Sequence, residues 1–384
     1  VSSVNNYREP ALMLTGGGAR AAYQVGVLKG IATLVPRAHP LPFRIMCGTS
    51  AGALNASAMA CYASNFHLAV KKLEHVWANF STDQVYRSSN TELVGHLLGR
   101  VGRLFQSETM ENPASSLFDN QPLRELIMKV VDFKKIDRHI ANGYLRALSV
   151  SASCYNNGHS ISFYEGSSHY RDWQRSKRRG IRTRLTQEHL MASAAIPLVF
   201  PAIEIQHQFY GDGAIHQISP LSAPIHLGAS KILVIGVDEA HMEDPLNRHY
   251  VPSSAAIAGH LLDTIFADTL NSDLERLQRI NETIRQLDKA GIEHPQLRRI
   301  DTLIVKPELD FNQLAHKHFL TMPKSVRRLL SLIGIDQDTP SSIVSYLLFE
   351  KPYCRELIQI GYQDAMRQRE DIHHFLELGG RPIT

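Results

Sequence analysis

The stretch Arg44-Ile45-Met46-Cys47-Gly48-Thr49-Ser50-Ala51-Gly52-Ala53-Leu54-Asn55 decides how the rest of the chain is read. Ile45 to Cys47 is a short apolar run of the kind a buried parallel strand uses. A turn of small residues follows, and Ala51 to Tyr62 then places Ala, Leu and Met at helical spacing. The predicted order is strand, tight turn, serine, helix. The pattern Gly48-x-Ser50-x-Gly52 suits a sharp, strained turn in which a Cβ on either side of the serine would clash. Such a turn lifts Oγ off the sheet. The helix that starts there points free N–H groups and a positive dipole end at nearby anionic oxygen. Two readings of Ser50 stand at this point: a nucleophile, or the cap of a Gly/Ser-rich turn.

A second strand-turn-helix unit precedes it. Ala11 to Thr15 reads as a short buried strand, Gly16-Gly17-Gly18 follows directly, and Ala19 to Val35 has helical spacing through Ala22, Val25, Leu28 and Ala32. Three consecutive glycines leave a backbone that no side chain screens, so its N–H groups can converge on an anion. One candidate is a dinucleotide pyrophosphate, because Gly16 to Ala21 satisfies G-x-G-x-x-A. That fingerprint also asks for an acidic residue at the end of a second strand about 20 residues on. Here Pro36 to Pro42 is basic and proline-rich, and the second strand ends in the serine turn. The other candidate is the oxyanion of an acyl-transfer transition state, which also wants paired backbone donors. The pairing of the Gly loop with the serine turn favours the oxyanion.

The bulk properties narrow the class. A chain of 384 residues with 43% hydrophobic and 20% charged residues can build a sizeable core. Lys+Arg 41 against Asp+Glu 37 gives +4, too mild to imply nucleic acid. Among 19 histidines and 4 cysteines there is no H-E-x-x-H and no C-x-x-C, so neither metal nor cofactor is expected. Cys47, Cys61, Cys154 and Cys354 are scattered, as free thiols of a reducing compartment would be. No run approaches the apolar length of a membrane span, and no leader pattern opens the chain. The expectation is a cytoplasmic protein with peripheral contact at the inner face of the membrane.

Farther along, helices are expected at Phe66 to Phe80, Thr91 to Phe105 and Asn120 to Val131, with residues 81–119 as a surface excursion. Tyr144 to Cys154 reads as a strand, paired with Ser160 to Tyr164 across Asn156-Asn157-Gly158. A basic segment follows: Arg171, Arg175, Lys177, Arg178, Arg179, Arg182 and Arg184, with Trp173 among them. It reads as a solvated loop or as a contact for anionic lipid headgroups. Thr186 caps a helix to Ala195, and Ile203 to Ile205 with Gln208 to Tyr210 forms a hairpin leading into Gly211-Asp212-Gly213-Ala214. By itself, an Asp flanked by glycines at a strand end is a turn former. Then come a helix at Leu221 to Leu227 and a strand at Lys231 to Asp238. The remainder has a long amphipathic helix at Ser253 to Leu287, with Leu261, Leu262, Ile265 and Phe266 on its apolar side. It also has a strand at Ile300 to Val305 and helices within Phe319 to Ile333, Ser341 to Phe349 and Tyr353 to Leu376.

Three features in this order resemble one family. Gly16-Gly17-Gly18-Ala19-Arg20, Gly48-Thr49-Ser50-Ala51-Gly52 and Asp212-Gly213-Ala214 are similar to the three signatures of the patatin-like phospholipases, closest to bacterial members. Met191-Ala192-Ser193-Ala194-Ala195-Ile196-Pro197 resembles the family's Ala-Ser-x-Ala-x-Pro stretch. The resemblance implies a three-layer α/β/α sandwich with a mostly parallel central sheet over residues 9–240. Residues 241–384 would be a mainly helical elaboration packed on it. It implies Ser50 as nucleophile and Asp212 as general base of a Ser–Asp dyad. Gly16, Gly17 and Gly18 would form the oxyanion loop, with Arg20, Gly48, Gly52 and Gly213 supporting the motifs. The N–H of Ala51 is a further oxyanion donor by its place at the helix start. A carboxylate is a weaker base than imidazole, so Asp212 must be close to Ser50 and partly desolvated. The rival is a histidine triad, with His216, His226, His241 or His260 as base. The expected activity is metal-independent hydrolysis of an acyl ester lipid. An acyltransferase and a vestigial lipid-binding or scaffold protein are the alternatives.

Overall fold

The computed structural model describes residues 9–87, 116–197, 199–238, 254–294, 297–332, 334–337 and 341–377. Its first strand, β1 (Glu9–Leu14), lies between β2 (Ile45–Thr49) and β9 (Ala229–Ile235), and all three run parallel. On one side the sheet continues from β2 to β3 (Ala147–Cys154), again parallel; on the other, β10 (Asp301–Val305) extends β9 in parallel. β2 and β3 are buried along their whole length. That explains their unbroken runs of apolar and small residues, since a strand covered on both faces has no solvent side to mark with polar positions.

Beyond β3 the sheet turns antiparallel. β4 (His159–Gly166) returns along β3 with Cys154 opposite His159, and β8 (Gln208–Asp212) pairs the far end of β3 with Asp212 opposite Ala152. β7 (Ile203–Ile205) is the hairpin partner of β8. The basic segment is a correction to the loop reading: β5 (Trp173–Arg175) and β6 (Arg178–Arg182) form a hairpin that closes the sheet's edge on β4. Trp173 does not stand out as an interfacial anchor. It is half-buried, stacked between Tyr164 at 5.1 Å and His226 at 4.9 Å.

Helices cover both faces. One apolar layer gathers α1 (Ala22–Thr33), α2 (Ala51–Ala60), α3 (Phe66–Ala78), α4 (Gln121–Val130), α5 (Phe133–Ala141) and α6 (Gln187–Ser193). The opposite layer packs α7 (Ser222–His226) and α8 (Ser254–Lys289) on β1, β2 and β9 through Leu221, Ala223, Leu270, Leu274 and Leu277. Leu261, Leu262, Ile265 and Phe266 have side chains outside the described residues, as does the whole helix expected at Thr91 to Phe105.

The C-terminal part contributes α9 (Phe311–Lys317), α10 (Lys324–Leu332), α11 (Ser342–Leu347), α12 (Lys351–Arg367) and α13 (Arg369–Phe375). The single helix expected over Tyr353 to Leu376 is broken at Gln368, and neither α5 nor α9 is foreseen from the sequence pattern. α12 lies directly on α1. A Cβ at Gly26 would stand 2.0 Å from the Ile358 carbonyl oxygen, and one at Gly361 2.1 Å from that of Tyr23. Small residues at the crossing let the two backbones touch, and Tyr23 Oη donates to Asp364 Oδ2 at 2.9 Å beside it. The architecture is a mostly parallel mixed sheet flanked by helices, with a helical C-terminal part.

Candidate functional site

The site forms where the parallel strands end. β2 runs out at Gly48 and Thr49, and Ser50 follows with φ 55° and ψ −129°, a sparsely populated conformation for a residue with a Cβ. Its carbonyl oxygen accepts the Ala53 N–H at 2.9 Å, which starts α2. Its own N–H donates to Ser193 Oγ at 2.9 Å. Gly52 allows this turn to sit against the end of β1: a Cβ there would stand 2.4 Å from the Leu14 carbonyl oxygen and 2.5 Å from that of Thr15. The serine turn and the Gly loop are therefore in backbone contact.

The Gly loop leaves β1 through Thr15, Gly16 and Gly17 and winds a 3₁₀ turn over Gly18–Ala21 before α1. Gly18 has φ +53°, and a Cβ on it would meet the Tyr346 carbonyl oxygen of α11 at 2.3 Å. No described residue accepts the N–H groups of Gly16, Gly17, Gly18 or Ala51. These backbone donors lie where the parallel strands β1 and β2 end and their helices begin. A buried polar chain fixes the floor beneath them. Gln24 Nε2 donates to the Thr15 carbonyl at 2.8 Å, Asn55 Nδ2 to Gln24 Oε1 at 2.9 Å, and Trp77 Nε1 to Asn55 Oδ1 at 2.7 Å.

Asp212 ends β8 and is fully buried. Its N–H donates to the Ala195 carbonyl at 2.9 Å, and its Oδ1 accepts the Ala214 N–H at 3.0 Å. Oδ2 has no full hydrogen bond; the Ser50 hydroxyl acts on this carboxyl only loosely. Burial pushes the Asp212 carboxyl from 3.8 up to about 7, partly offset by the Ser50 hydroxyl and the Ala214 N–H. Gly213 opens the 3₁₀ turn Gly213–His216, which is stapled to the sheet: Thr49 Oγ1 donates to Gln217 Oε1 at 2.7 Å, and Gln217 Nε2 to Ser151 Oγ at 2.9 Å. Tyr155 overhangs Gly211, and its hydroxyl is pushed up by burial and then by the charge of Asp212.

Arg20 points away from this cluster. It is 3% exposed and bound by the C-terminal part: Nε donates to Ser345 Oγ at 2.8 Å and Nη2 to Asn312 Oδ1 at 2.7 Å. Its guanidinium lies 4.1 Å from the Tyr346 ring centroid, and Asp263 pairs with it at 3.5 Å.

No described histidine joins Ser50 and Asp212. His216 has its backbone N–H on Ser153 Oγ at 3.0 Å, and its ring is held below its ordinary pKa by burial and then by the charges of Lys177 and His159. His226 is held by the Ser222 carbonyl at 2.7 Å and stacks on Trp173. His241 and the side chain of His260 lie outside the described residues. No group of three or more potential metal ligands occurs among the described residues, and no described helix is long and apolar enough to cross a membrane.

Sequence reasoning assigns no role to Ser193, Gln24, Asn55 or Gln217. Ser193 has a signal, since it sits in the Ala-Ser-x-Ala-x-Pro stretch. Gln24 and Asn55 have a weaker one: each interrupts an apolar helical run and is almost completely buried.

Two solved structures are distantly similar. The crystal structure of VipD from Legionella pneumophila matches at 11% identity and TM-score 0.37, over 95% of this chain and 67% of that one. The complex of full-length SpcU with full-length ExoU from the type III secretion system of Pseudomonas aeruginosa matches at 14% identity and TM-score 0.28, over 95% and 80%. No curated protein sequence matches significantly. The model of the patatin-like phospholipases matches residues 12–225, more than half of the chain, and the protein therefore belongs to the patatin-like phospholipase family.

Proposed function

We propose that the protein is a serine lipid acyl hydrolase of phospholipase A or lysophospholipase type, working through a Ser50–Asp212 dyad. Family membership supports lipid ester hydrolysis in general. The observation that carries the finer reading is the juxtaposition of a strained serine with a fully buried carboxyl whose Oδ2 lacks a hydrogen bond and whose pKa is raised to about 7. A base of that strength is partly ionised at neutral pH and still takes a proton readily.

Ser50 Oγ adds to the ester carbonyl carbon while its proton passes to Asp212 Oδ2. The oxyanion that forms is met by N–H groups of Gly16, Gly17, Gly18 and Ala51, and the loss of one such donor typically costs on the order of 3 kcal/mol of barrier. Collapse breaks the bond to the lipid alcohol, which leaves with the proton from Asp212. Water then adds to the acyl-Ser50 ester, its proton going to Asp212. The fatty acid departs and Ser50 regains its hydrogen. The lipid is met at a membrane surface, with the protein bound peripherally.

The test is hydrolysis of a chromogenic acyl ester and of a phospholipid panel, with a serine-directed phosphonate and mass spectrometry of the adduct. The expected result is one adduct, on Ser50, with hydrolysis abolished in Ser50→Ala and Asp212→Asn proteins that still fold. Retained turnover in both variants overturns the reading.

A further inference from the structure

β3 has two edges, and Ser50 and Asp212 meet on one of them. β4 fills the first edge along its whole length, from Ala147 opposite Gly166 to Cys154 opposite His159. β2 and β8 therefore share the second. β2 runs along it as far as Thr49, which pairs with Ser151. β8 comes from the other end as far as Asp212, which pairs with Ala152. The two strand ends face each other at successive positions of β3, about 3.3 Å apart along a strand. Ser50 follows Thr49 at this junction. Ladder hydrogen bonds tie each strand end to β3 but not to the other end, so the gap between serine and carboxyl is set by something else.

Two devices bridge the junction. The first holds backbone: Ser193 Oγ accepts the Ser50 N–H and the Ala195 carbonyl accepts the Asp212 N–H, each at 2.9 Å. The second is one buried side chain, Gln217. Its Oε1 accepts from Thr49 Oγ1 at 2.7 Å and its Nε2 donates to Ser151 Oγ at 2.9 Å. Thr49 and Ser151 are register partners, so an amide with one acceptor and one donor fits between their hydroxyls. The 3₁₀ turn that leads from Asp212 to Gln217 lies flat on β3. A Cβ at Gly213 would stand 2.3 Å from the Ser151 carbonyl oxygen and 2.9 Å from Thr49 Cγ2. Ser153 Oγ donates to the Gly213 carbonyl at 3.2 Å and accepts the His216 N–H at 3.0 Å. The turn that leaves Asp212 is thus fixed to β3, and the Gln217 amide carries that fixture across to the last residue of β2.

We propose that Gln217 is a positioning residue: bonded at once to Thr49 and Ser151, it sets the gap across which Ser50 Oγ passes its proton to Asp212 Oδ2. This rests on the hydrolase reading above. Gln217 touches neither the ester nor the moving proton; it acts through Thr49. Asp212 Oδ2 has no full hydrogen bond, so the transfer depends on how closely the strand ends are brought together. A misplacement of about 1 Å can cost on the order of 100-fold in rate.

The test is steady-state kinetics on a soluble chromogenic ester across pH, with melting temperatures of the same proteins. Gln217→Met keeps the length of the side chain and removes both bonds. Its kcat is expected to fall about tenfold or more with KM little changed. The acid limb of kcat/KM should also move to higher pH, because the Ser50 hydroxyl that partly offsets the raised Asp212 is drawn away. Thr49→Val breaks only the link to β2 and should reproduce both changes. Thr49→Ser keeps the hydroxyl and should return most of kcat. If Gln217→Met does not fold, the two Thr49 variants carry the test. A parent that hydrolyses the ester, with kcat and acid limb unchanged in the variants whatever their melting temperatures, overturns the assignment alone. A parent with neither turnover nor a phosphonate adduct overturns the hydrolase reading, and this assignment with it.

Discussion

The backbone N–H of Ser50 donates to Oγ of Ser193, across 143 positions of sequence. Ser50 sits in a conformation that costs on the order of 1–3 kcal/mol and persists only where the surroundings insist on it. Ser193, completely buried as the last residue of α6, is part of that insistence. Ser193→Ala leaves the N–H buried and unpaired, at ~1–3 kcal/mol. Steady-state kinetics with a soluble ester should give kcat lowered roughly tenfold with KM little changed, a split that uniform weakening of substrate binding would not produce. A variant with full turnover would mean that the bond does not hold the serine.

With Asp212 as the proposed base, its state sets an acid limb. A base must be ionised to act, so kcat/KM is expected to rise with pH through about 7 and level off above it. Stability has the opposite sign. The folded-state pKa is raised, so the folded protein holds this proton more tightly than the unfolded chain. The resulting stabilisation is complete below 3.8 and lost as pH rises through about 7. Asp212→Asn should therefore melt higher than the parent at pH 8, by at most ~4 kcal/mol, with no such gain at pH 4. Paired melts at the two pH values decide it.

A second carboxyl makes a similar forecast away from Ser50. Glu165 on β4 is pushed up to about 8, first by burial and then by its hydrogen bond to Asp137, while its Oε2 accepts the Leu185 N–H at 2.8 Å. Its contribution is present below 4.5 and is lost as pH rises through about 8. Glu165→Gln keeps an acceptor for Leu185 and cannot ionise. Its melting temperature should change less than the parent's between pH 6 and 9, and equal slopes would contradict the assignment.

Asn312 anchors Arg20 from 292 residues away. Asn312→Ala removes a hydrogen bond to a buried cation, at about 2 kcal/mol, and loosens the Gly loop that Arg20 closes. Both the melting temperature and kcat should fall. Arg285→Ala, at an exposed pair with Glu282, should change neither and serves as the control. Loss of stability with unchanged kcat would separate Arg20 from the loop's geometry.

Much of the site's frame was legible because it is local. Gly16 to Gly18 and Gly48 to Gly52 each announce a strand-to-helix turn within a dozen residues, and the apolar runs of β1, β2, β3 and β9 are what fully buried parallel strands look like. Most of what holds those turns was not legible, because it comes from far away. Ser193 at least lies in a marked stretch, but Asn312, Ser345 and Tyr346 carry no local mark of the residues they touch. The Arg178–Arg182 strand was hidden for another reason. Its residues have little intrinsic strand preference, and pairing with β4 along one edge and β5 along the other imposes the conformation. The break at Gln368, which ends α12 and caps α13, has no glycine or proline to announce it, so helical periodicity runs through it.

The grip of Ser345 and Asn312 on Arg20 has a consequence for the order in which the chain is made. Everything that the motifs mark out, through Asp212, is synthesised before the residues that clamp the Gly loop. A nascent chain folds from its N-terminal end as it emerges. The sheet can therefore assemble around Ser50 while Arg20 still lacks its clamp and the loop lacks the Tyr346 carbonyl against which Gly18 packs. A chain built this way keeps its Gly loop unclamped until Asn312 and Ser345 have been added, long after the last of the marked motifs.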